Sequence, residues 1–382
     1  MKIIWISKIT REMPHKTSRL KMTEELSKLG YDIQLYMAKE FFEHPQKKDS
    51  IRYFPTIDFP IVSGFFYGLV IFFYFPFLLH KKKVDVIIID CTKVWIPFVI
   101  PLKILNIPLV LDIRTLPIDR DTSATFTISM YLCRFVVDGI TTITDELKKA
   151  LIERYKLKNI KFGIWSSGVS LEDFDDNEKQ QKEHIFQQNK NKFILFYHGD
   201  YSPTRGIENL ISSINLLNPE LKKKIELFIV GMPTEKIAYL SKYIENKNLK
   251  KNVKIKKKVE YKKIIQYIKS CDAGIIPLPP EHKWWRVSSP LKTLEYMAAG
   301  KPIIATNIPF HQQIFRKRNC GILLNTGNPA DLADGIERLY NKNKELKEIG
   351  LNCRKIIEKE YTWNKMAKKF ETYLLEIIKS KN

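Results

Sequence analysis

Two doubly wound α/β domains joined end to end are what this sequence predicts, and three observations carry the expectation. Short, near-continuous Ile/Val runs alternate with helix-period patterns over the first 170 residues. A polar stretch, Glu172–Asn191, then interrupts the alternation almost without apolar residues. The alternation restarts at Phe193 and runs past residue 300. Apolar strands separated by helices imply a parallel sheet covered on both faces. Two such domains in series normally hold a ligand in the cleft between them, outside the carboxyl ends of the strands.

In chain order, Lys2–Ser7 reads as a buried strand and Ser18–Leu29 as a helix stopped by Gly30. Strands follow at Tyr31–Tyr36, Val84–Ile89 and Leu109–Ile113, then a helix around Ser129–Val137. A strand at Gly139–Ile143 and a helix from Asp145 to Tyr155 close the first set. In the second half, strands are expected at Phe193–Tyr197, Ile225–Val230, Val253–Lys256, Ala273–Pro277 and Pro302–Thr306. Helices are expected at Ile207–Leu217, Lys236–Ile244, Lys262–Ser270 and Leu291–Ala299. Trp363–Ile378 is an amphipathic helix whose docking site the pattern does not reveal. The expected limits are a first domain 1–170, a linker 171–192, a second domain 193–360 and a closing helix 361–382.

Composition narrows the class. A chain of 382 residues, 44% hydrophobic, suits two or three folded domains rather than a disordered or collagen-like polymer. The 64 Lys+Arg against 42 Asp+Glu, a formal +22, point to an anionic partner: nucleic acid, an acidic membrane surface or a phosphorylated substrate. Cys91, Cys133, Cys271, Cys320 and Cys353 are scattered, without C-x-x-C or nearby His, which argues against a disulfide framework or a zinc site and for buried reduced thiols in the cytoplasm. The apolar run at Met1–Ile6 is too short for a signal peptide.

Phe59–Leu79 stands apart: 21 residues without a charge, then His80 and Lys81-Lys82-Lys83. Its length reaches that of a membrane span, but it carries Pro60, Gly64, Gly68 and Pro76, and spanning would put the flanking strands on opposite faces. An ordinary buried helix fits as well. So does a helix dipping into one leaflet, with Phe65, Phe66, Phe72 and Phe73 inserted and Lys81, Lys82 and Lys83 on anionic headgroups.

Three stretches could carry chemistry. In Ala273–Pro309 a strand runs into a Pro-rich loop, and Ser288-Ser289-Pro290 then opens a helix. Ser289 suits the N-cap, Pro290 the first helical position and Gly300 the stop. Such a helix start offers free N–H groups and a positive dipole end to a phosphate. Lys292 and Glu295 share a helix face, either as a surface ion pair or with Lys292 on phosphate and Glu295 on two sugar hydroxyls. The second stretch, Phe196–Gly206, is a strand-to-helix loop with Gly199 and Gly206 at its ends and Arg205 as a fixed cation; it is neither G-x-G-x-x-G nor a P-loop. In the third, Asp112 and Arg114 end a strand, where they orient an acceptor hydroxyl or simply pair with each other.

Taken together these residues resemble the retaining GT-B-fold glycosyltransferases of family 4, the group 1 glycosyltransferases. Ser289–Ala305 looks like the family's E-A-x-A-x-G-x-P-V-I-A region and Ser167–Phe174 like its N-G-V-D segment. Gly199–Gly206 is similar to G-R-L-x-x-x-K-G, and Asp138–Thr144, Phe228–Gly231 and Cys271–Ile275 add supporting matches in order along nearly the whole chain. The resemblance implies two Rossmann-like domains facing across a cleft, an N-terminal acceptor domain and a C-terminal domain holding a nucleotide-diphosphate sugar. The closing helix would cross back to the N-terminal domain.

Donor binding would fall to His198, Gly199, Arg205, Gly231, Pro277, Ser288, Ser289, Pro290, Leu291, Lys292 and Glu295, with Glu295 on the ribose. Asp112, Arg114, Arg205 and Lys292 would serve catalysis, which needs positioning and stabilisation of the departing diphosphate rather than a protein nucleophile. No metal-binding D-x-D stands in a matching position, so no metal or other cofactor is expected. The sequence departs from the family where Val287 replaces the first Glu of E-x7-E, Asp200 the Arg of G-R-L, and Arg205 the Lys of K-G.

The expected function is therefore sugar transfer from a nucleotide sugar to a lipid-linked or polysaccharide acceptor of the cell envelope, with retention, by a cytoplasmic protein peripheral to an anionic membrane. A nucleotide-sugar epimerase of the same fold and a non-catalytic partner subunit are the alternatives. A nucleic-acid binder is disfavoured, because no RRM, helix-turn-helix or zinc-finger spacing is present.

Overall fold

The computed structural model describes every residue except 9–15, 41–49, 57–59, 81, 91–95, 118–119, 176–185, 187–191, 317 and 382. It divides into two units, Met1–Gly168 with Trp363–Asn382, and Val169–Thr362.

The first unit is built on seven parallel strands: β1 (Lys2–Ser7), β2 (Asp32–Glu40), β3 (Ile51–Thr56), β4 (Val86–Asp90), β5 (Leu109–Ile113), β6 (Gly139–Thr142) and β7 (Lys161–Ile164). Their order is β3-β2-β1-β4-β5-β6-β7. Ile3, Ile4, Trp5 and Ile6 of the interior strand β1 are all fully buried, because helices cover both faces and leave no polar side to alternate with. β3 and β7 were not expected from the sequence. Both are edge strands, where Pro55 and an exposed Lys161 are tolerated because one side of the ladder is unpaired.

The helix Trp363–Lys379 completes this unit although it follows the second unit in sequence. Phe370 lies 5.7 Å from Trp5 and stacks on Trp165 at 5.3 Å, centroid to centroid. The helix can come this close because β6 and β7 present glycines: a Cβ on Gly163 would stand 2.4 Å from the Tyr373 ring. The Tyr373 hydroxyl donates to the Lys161 carbonyl at 3.0 Å, and Lys381 Nζ reaches Asp138 at 2.8 Å.

The uncharged segment forms one helical run: Pro60–Leu69, a π-helical turn at Val70–Tyr74, and Phe75–His80. Tyr67, Ile71, Phe75 and Leu79, four residues apart, are buried. In a regular α-helix such a stripe drifts by roughly 40° at each step; the wider π turn in the middle keeps it facing the core. Gly68 admits Phe98, whose ring lies 5.5 Å from that of Phe65. The opposite face is open, with Phe65 57%, Phe73 67% and Phe77 84% exposed. Phe66 and Phe72 are half-buried, and Lys81 lies outside the described residues. A wholly buried helix is thus excluded. Among the described residues no helix is long and apolar enough to cross a membrane.

The second unit carries β8 (Phe193–His198), β9 (Ile225–Met232), β10 (Val253–Lys257), β11 (Ala273–Ile276), β12 (Ile303–Thr306) and β13 (Gly321–Leu324). All are parallel, in the order β10-β9-β8-β11-β12-β13. Along β8 the side chains alternate between two cores: Ile194 and Phe196 face one, and Phe193, Leu195 and Tyr197 the other. The segment read as a linker contributes Phe174 and Phe186 to the first of these cores; most of the rest of it lies outside the described residues. β13 and the helices Pro309–Phe315, Pro329–Asn341 and Leu346–Ile356 had no counterpart in the sequence reading. Cys133, Cys271, Cys320 and Cys353 are buried free thiols, and Cys91 is outside the described residues.

Candidate functional site

In an open parallel sheet the crevice lies where strand order reverses, outside the carboxyl ends of the flanking strands. In the second unit that place is between β8 and β11. His198 ends β8, Gly199 follows it, and Pro277 follows β11. Gly199 has φ +131°, and a Cβ there would stand 2.3 Å from Lys292 Nζ, so only glycine lets the ammonium lie against the strand exit. Gly206, at φ +70°, turns the Arg205 loop onto the Pro277 carbonyl, 2.1 Å from where a Cβ would be. Gly231 packs on the Gly199 carbonyl from the neighbouring strand end.

Lys292 Nζ lies 3.3 Å from the Tyr197 hydroxyl and 4.6 Å from its ring centre. Burial first, and then the charge of Arg205, lower its pKa to about 7 against the pull of Glu295 and Asp200. Arg205 is in turn placed by Trp285: the guanidinium carbon sits 5.5 Å from the indole ring, and Trp285 Nε1 donates to the Thr204 carbonyl at 2.7 Å. Two cations are thus held against one strand exit. Such an arrangement is relieved by an anion.

The helix Leu291–Ala298 starts one residue later than its sequence suggests. Pro290, at φ −65° and ψ 118°, is the N-cap and makes no side-chain cap bond, so Ser289 is not the cap and Leu291 is the first helical residue. Ser289 is buried, and Ser288 Oγ donates to the Trp285 carbonyl at 3.1 Å. The surface ion-pair reading of Lys292 and Glu295 fails, because Glu295 is 7% exposed. Its Oε1 accepts from the Tyr261 hydroxyl at 2.8 Å and its Oε2 lies 3.3 Å from His198 Nε2. Burial raises the Glu295 pKa and lowers that of His198, so His198 is neutral. All the sequence-predicted donor residues therefore gather at these strand exits or on the adjoining loop and helix. Tyr197, Tyr261 and Trp285 were missed; Tyr197 and Trp285 lay inside stretches singled out for their neighbours, whereas nothing local marks Tyr261.

At the matching strand ends of the first unit, those of β1 and β4, stands a charged cluster. Trp5 Nε1 donates to Asp90 Oδ1 at 3.0 Å, the Ser7 hydroxyl donates to Oδ2, and Arg19 Nε lies 3.1 Å from Oδ2. Arg19 also reaches Asp112 Oδ2 at 3.4 Å, while Thr141 and Trp165 donate to Asp112 Oδ1 at 2.8 and 3.1 Å. Asp112 exposes no surface, so this carboxylate holds the strand ends together instead of touching an acceptor. Arg114 lies over the Trp165 ring at 3.5 Å and donates to the Trp165 carbonyl at 2.5 Å, with its pKa lowered to about 9 by burial. Arg19, the cation that balances both aspartates, was not anticipated from the sequence.

Comparison with known proteins follows this geometry. The family model for group 1 glycosyl transferases matches residues 178–356, and that for glycosyltransferase family 4 matches residues 18–173. An uncharacterised glycosyltransferase of Methanocaldococcus jannaschii is 27% identical over 241 residues, 63% of this chain and 59% of the relative. The capsular polysaccharide biosynthesis glycosyltransferase CapM of Staphylococcus aureus is 24% identical over 257 residues, 64% of each chain. The matched region thus spans about three fifths of the length of these curated relatives. The crystal structure of Anabaena Alr3699/HepE in complex with UDP superposes with a TM-score of 0.75 at 15% identity, covering 98% of this chain and 100% of that one. That likeness shows the fold, the two-unit α/β architecture known as GT-B.

Proposed function

From the premise that this chain belongs to the group 1 and family 4 glycosyltransferases, we propose that it transfers a sugar from a nucleotide-diphosphate donor to a lipid-linked or polysaccharide acceptor, with retention at the anomeric carbon. One observation carries the reading: Lys292 and Arg205 converge on the exit of β8 beside the start of the helix Leu291–Ala298. A diphosphate is the chemical complement of two close cations and a helix N-terminus. The reading assigns ribose hydroxyls to Glu295, which Tyr261 holds through one oxygen and which sets the other 3.3 Å from His198 Nε2. As the acceptor hydroxyl oxygen bonds to the anomeric carbon, the bond from that carbon to the phosphate oxygen breaks, and the diphosphate leaves with the electron pair and takes up the hydroxyl proton. The reading takes the growing charge to be met by Lys292 and Arg205, without a metal.

The pKa of Lys292 supplies the test. Below about 7 the free protein already carries the ammonium. Above that value a bound diphosphate must draw a proton onto Lys292, so affinity falls as pH rises, by up to about tenfold per unit until the pKa of the complex is reached. A nucleotide sugar, whose diphosphate does not titrate in this range, should bind more weakly by roughly tenfold at pH 8.5 than at pH 6.5 in calorimetry, and Lys292→Gln should flatten the profile. No binding of any nucleotide sugar, or a pH-independent affinity, would count against the reading.

The exposed aromatic face of the first unit supports the peripheral membrane part of this proposal. Phe73, Phe77 and Ile104 are exposed on elements that pack against one another, and Lys82, Lys83 and Lys103 add cations for anionic headgroups. A Phe73→Ser/Phe77→Ser variant should lose most of its co-flotation with phosphatidylglycerol vesicles. An unchanged flotation profile would remove the membrane from the proposal.

A further inference from the structure

We propose that Trp284, backed by Trp285 and His282, is a stacking platform for the pyranose ring of the donor, an inference that rests on the donor reading above. Beyond β11 the chain runs through a Pro-rich loop into the short helix Lys283–Arg286, which brings three rings together. The indole centroids of Trp284 and Trp285 are 6.2 Å apart with planes tilted by 60°. The His282 ring lies 6.3 Å from each. All three side chains are partly exposed, whereas Val287, eight residues before Glu295, is buried. The loop therefore shows solvent part of an aromatic surface and keeps its aliphatic side chain inside.

The platform is fixed to the diphosphate cradle. Trp285 is committed to it twice, through Nε1 to the Thr204 carbonyl and through its ring under the Arg205 guanidinium. Trp284 adjoins it on the same short helix, with the ring centroids 6.2 Å apart. A sugar bonded to a phosphate on Arg205 is one phosphoester link from that cation, so the adjoining aromatic surface is within its reach. A pyranose has an apolar face of C–H groups with slight positive charge, and an indole face is negative, so the two attract without reading individual hydroxyls. The loop Pro277–Pro290 holds a single carboxylate, Glu281, and that side chain is exposed. Face stacking, not a carboxylate bridge, is the sugar contact this loop is built to make.

The experiment compares each nucleotide with its own sugar ester on the full chain: UDP with UDP-glucose, GDP with GDP-mannose, and dTDP with dTDP-glucose, by calorimetry. For the pair that the wild type binds, Trp284→Ala should weaken the sugar ester about tenfold while the nucleoside diphosphate stays within about twofold, and Trp284→Phe should restore most of the loss. Indole emission should change more on adding the sugar ester than on adding the diphosphate alone, and Trp284→Ala should abolish that extra change. Equal weakening of both ligands by Trp284→Ala would assign the ring to loop scaffolding, and no effect on either would remove the platform; both outcomes leave the donor reading standing. A wild type that binds none of the six ligands overturns the donor reading and the platform with it.

Discussion

Arg205→Ala is expected to weaken nucleotide-sugar binding by about 100-fold, roughly 2.8 kcal/mol, because a charge-assisted contact to the diphosphate is lost. The loss should exceed that of an exposed surface cation, since Trp285 holds the guanidinium in one place and its ordering is prepaid by the loop. A second consequence follows from the same geometry. Arg205 helps to hold the Lys292 pKa down, so its removal lets that pKa rise from about 7. The pH at which affinity begins to fall should therefore move upward in Arg205→Ala, while the absolute affinity drops at every pH. Arg205→Lys should recover part of the binding, as a cation without the planar fork. Calorimetry across pH 6 to 9 would read both effects. An affinity within about threefold of wild type, with the pH midpoint unmoved, would mean that the loop cation does not face the ligand.

Phe370→Ala should cost the first unit about 3–5 kcal/mol and leave the second unit unchanged. Phe370 is 1% exposed and packs against both Trp5 and Trp165, whose rings are themselves 5.9 Å apart, so truncation leaves a cavity walled on two sides by rigid indoles. Because the chain has two units, urea unfolding is not expected to follow a single two-state curve. Indole fluorescence from Trp5 and Trp165 should report the early transition moving to lower urea, while a donor-site ligand continues to protect the later one. A single transition shifted as a whole would show instead that the two units unfold together.

What the sequence made legible follows from what each element had to satisfy. β1, β4, β5, β8, β9, β11 and β12 are packed on both faces, and their apolar runs announce them. β3, β7 and β13 lie at sheet edges, where half the pairing and part of the burial are absent, so Pro55 and the exposed Lys161 obscure the pattern. The start of the donor-site helix was off by one residue because the fixed φ of proline serves an N-cap or a first helical position equally well. Within the site, Lys292 and Glu295 were legible because both sit on one helix face. Tyr261 was not, since its 34-residue separation from Glu295 is bridged only by the fold. Arg19 was hidden for the same reason: in an amphipathic helix it passes for a surface residue, and only the fold brings it to Asp90 and Asp112, 71 and 93 positions away.

The helix Trp363–Lys379 belongs to the unit that the ribosome makes earlier and not to the one it has just made. At about 5–20 residues per second, the intervening unit takes roughly ten to forty seconds to emerge. Throughout that interval Trp5 and Trp165 lack their cover, and the half of the molecule that is born first is finished after the half that is born second. A released chain cut off before Trp363 would thus carry a folded second unit behind an unsealed, chaperone-seeking front.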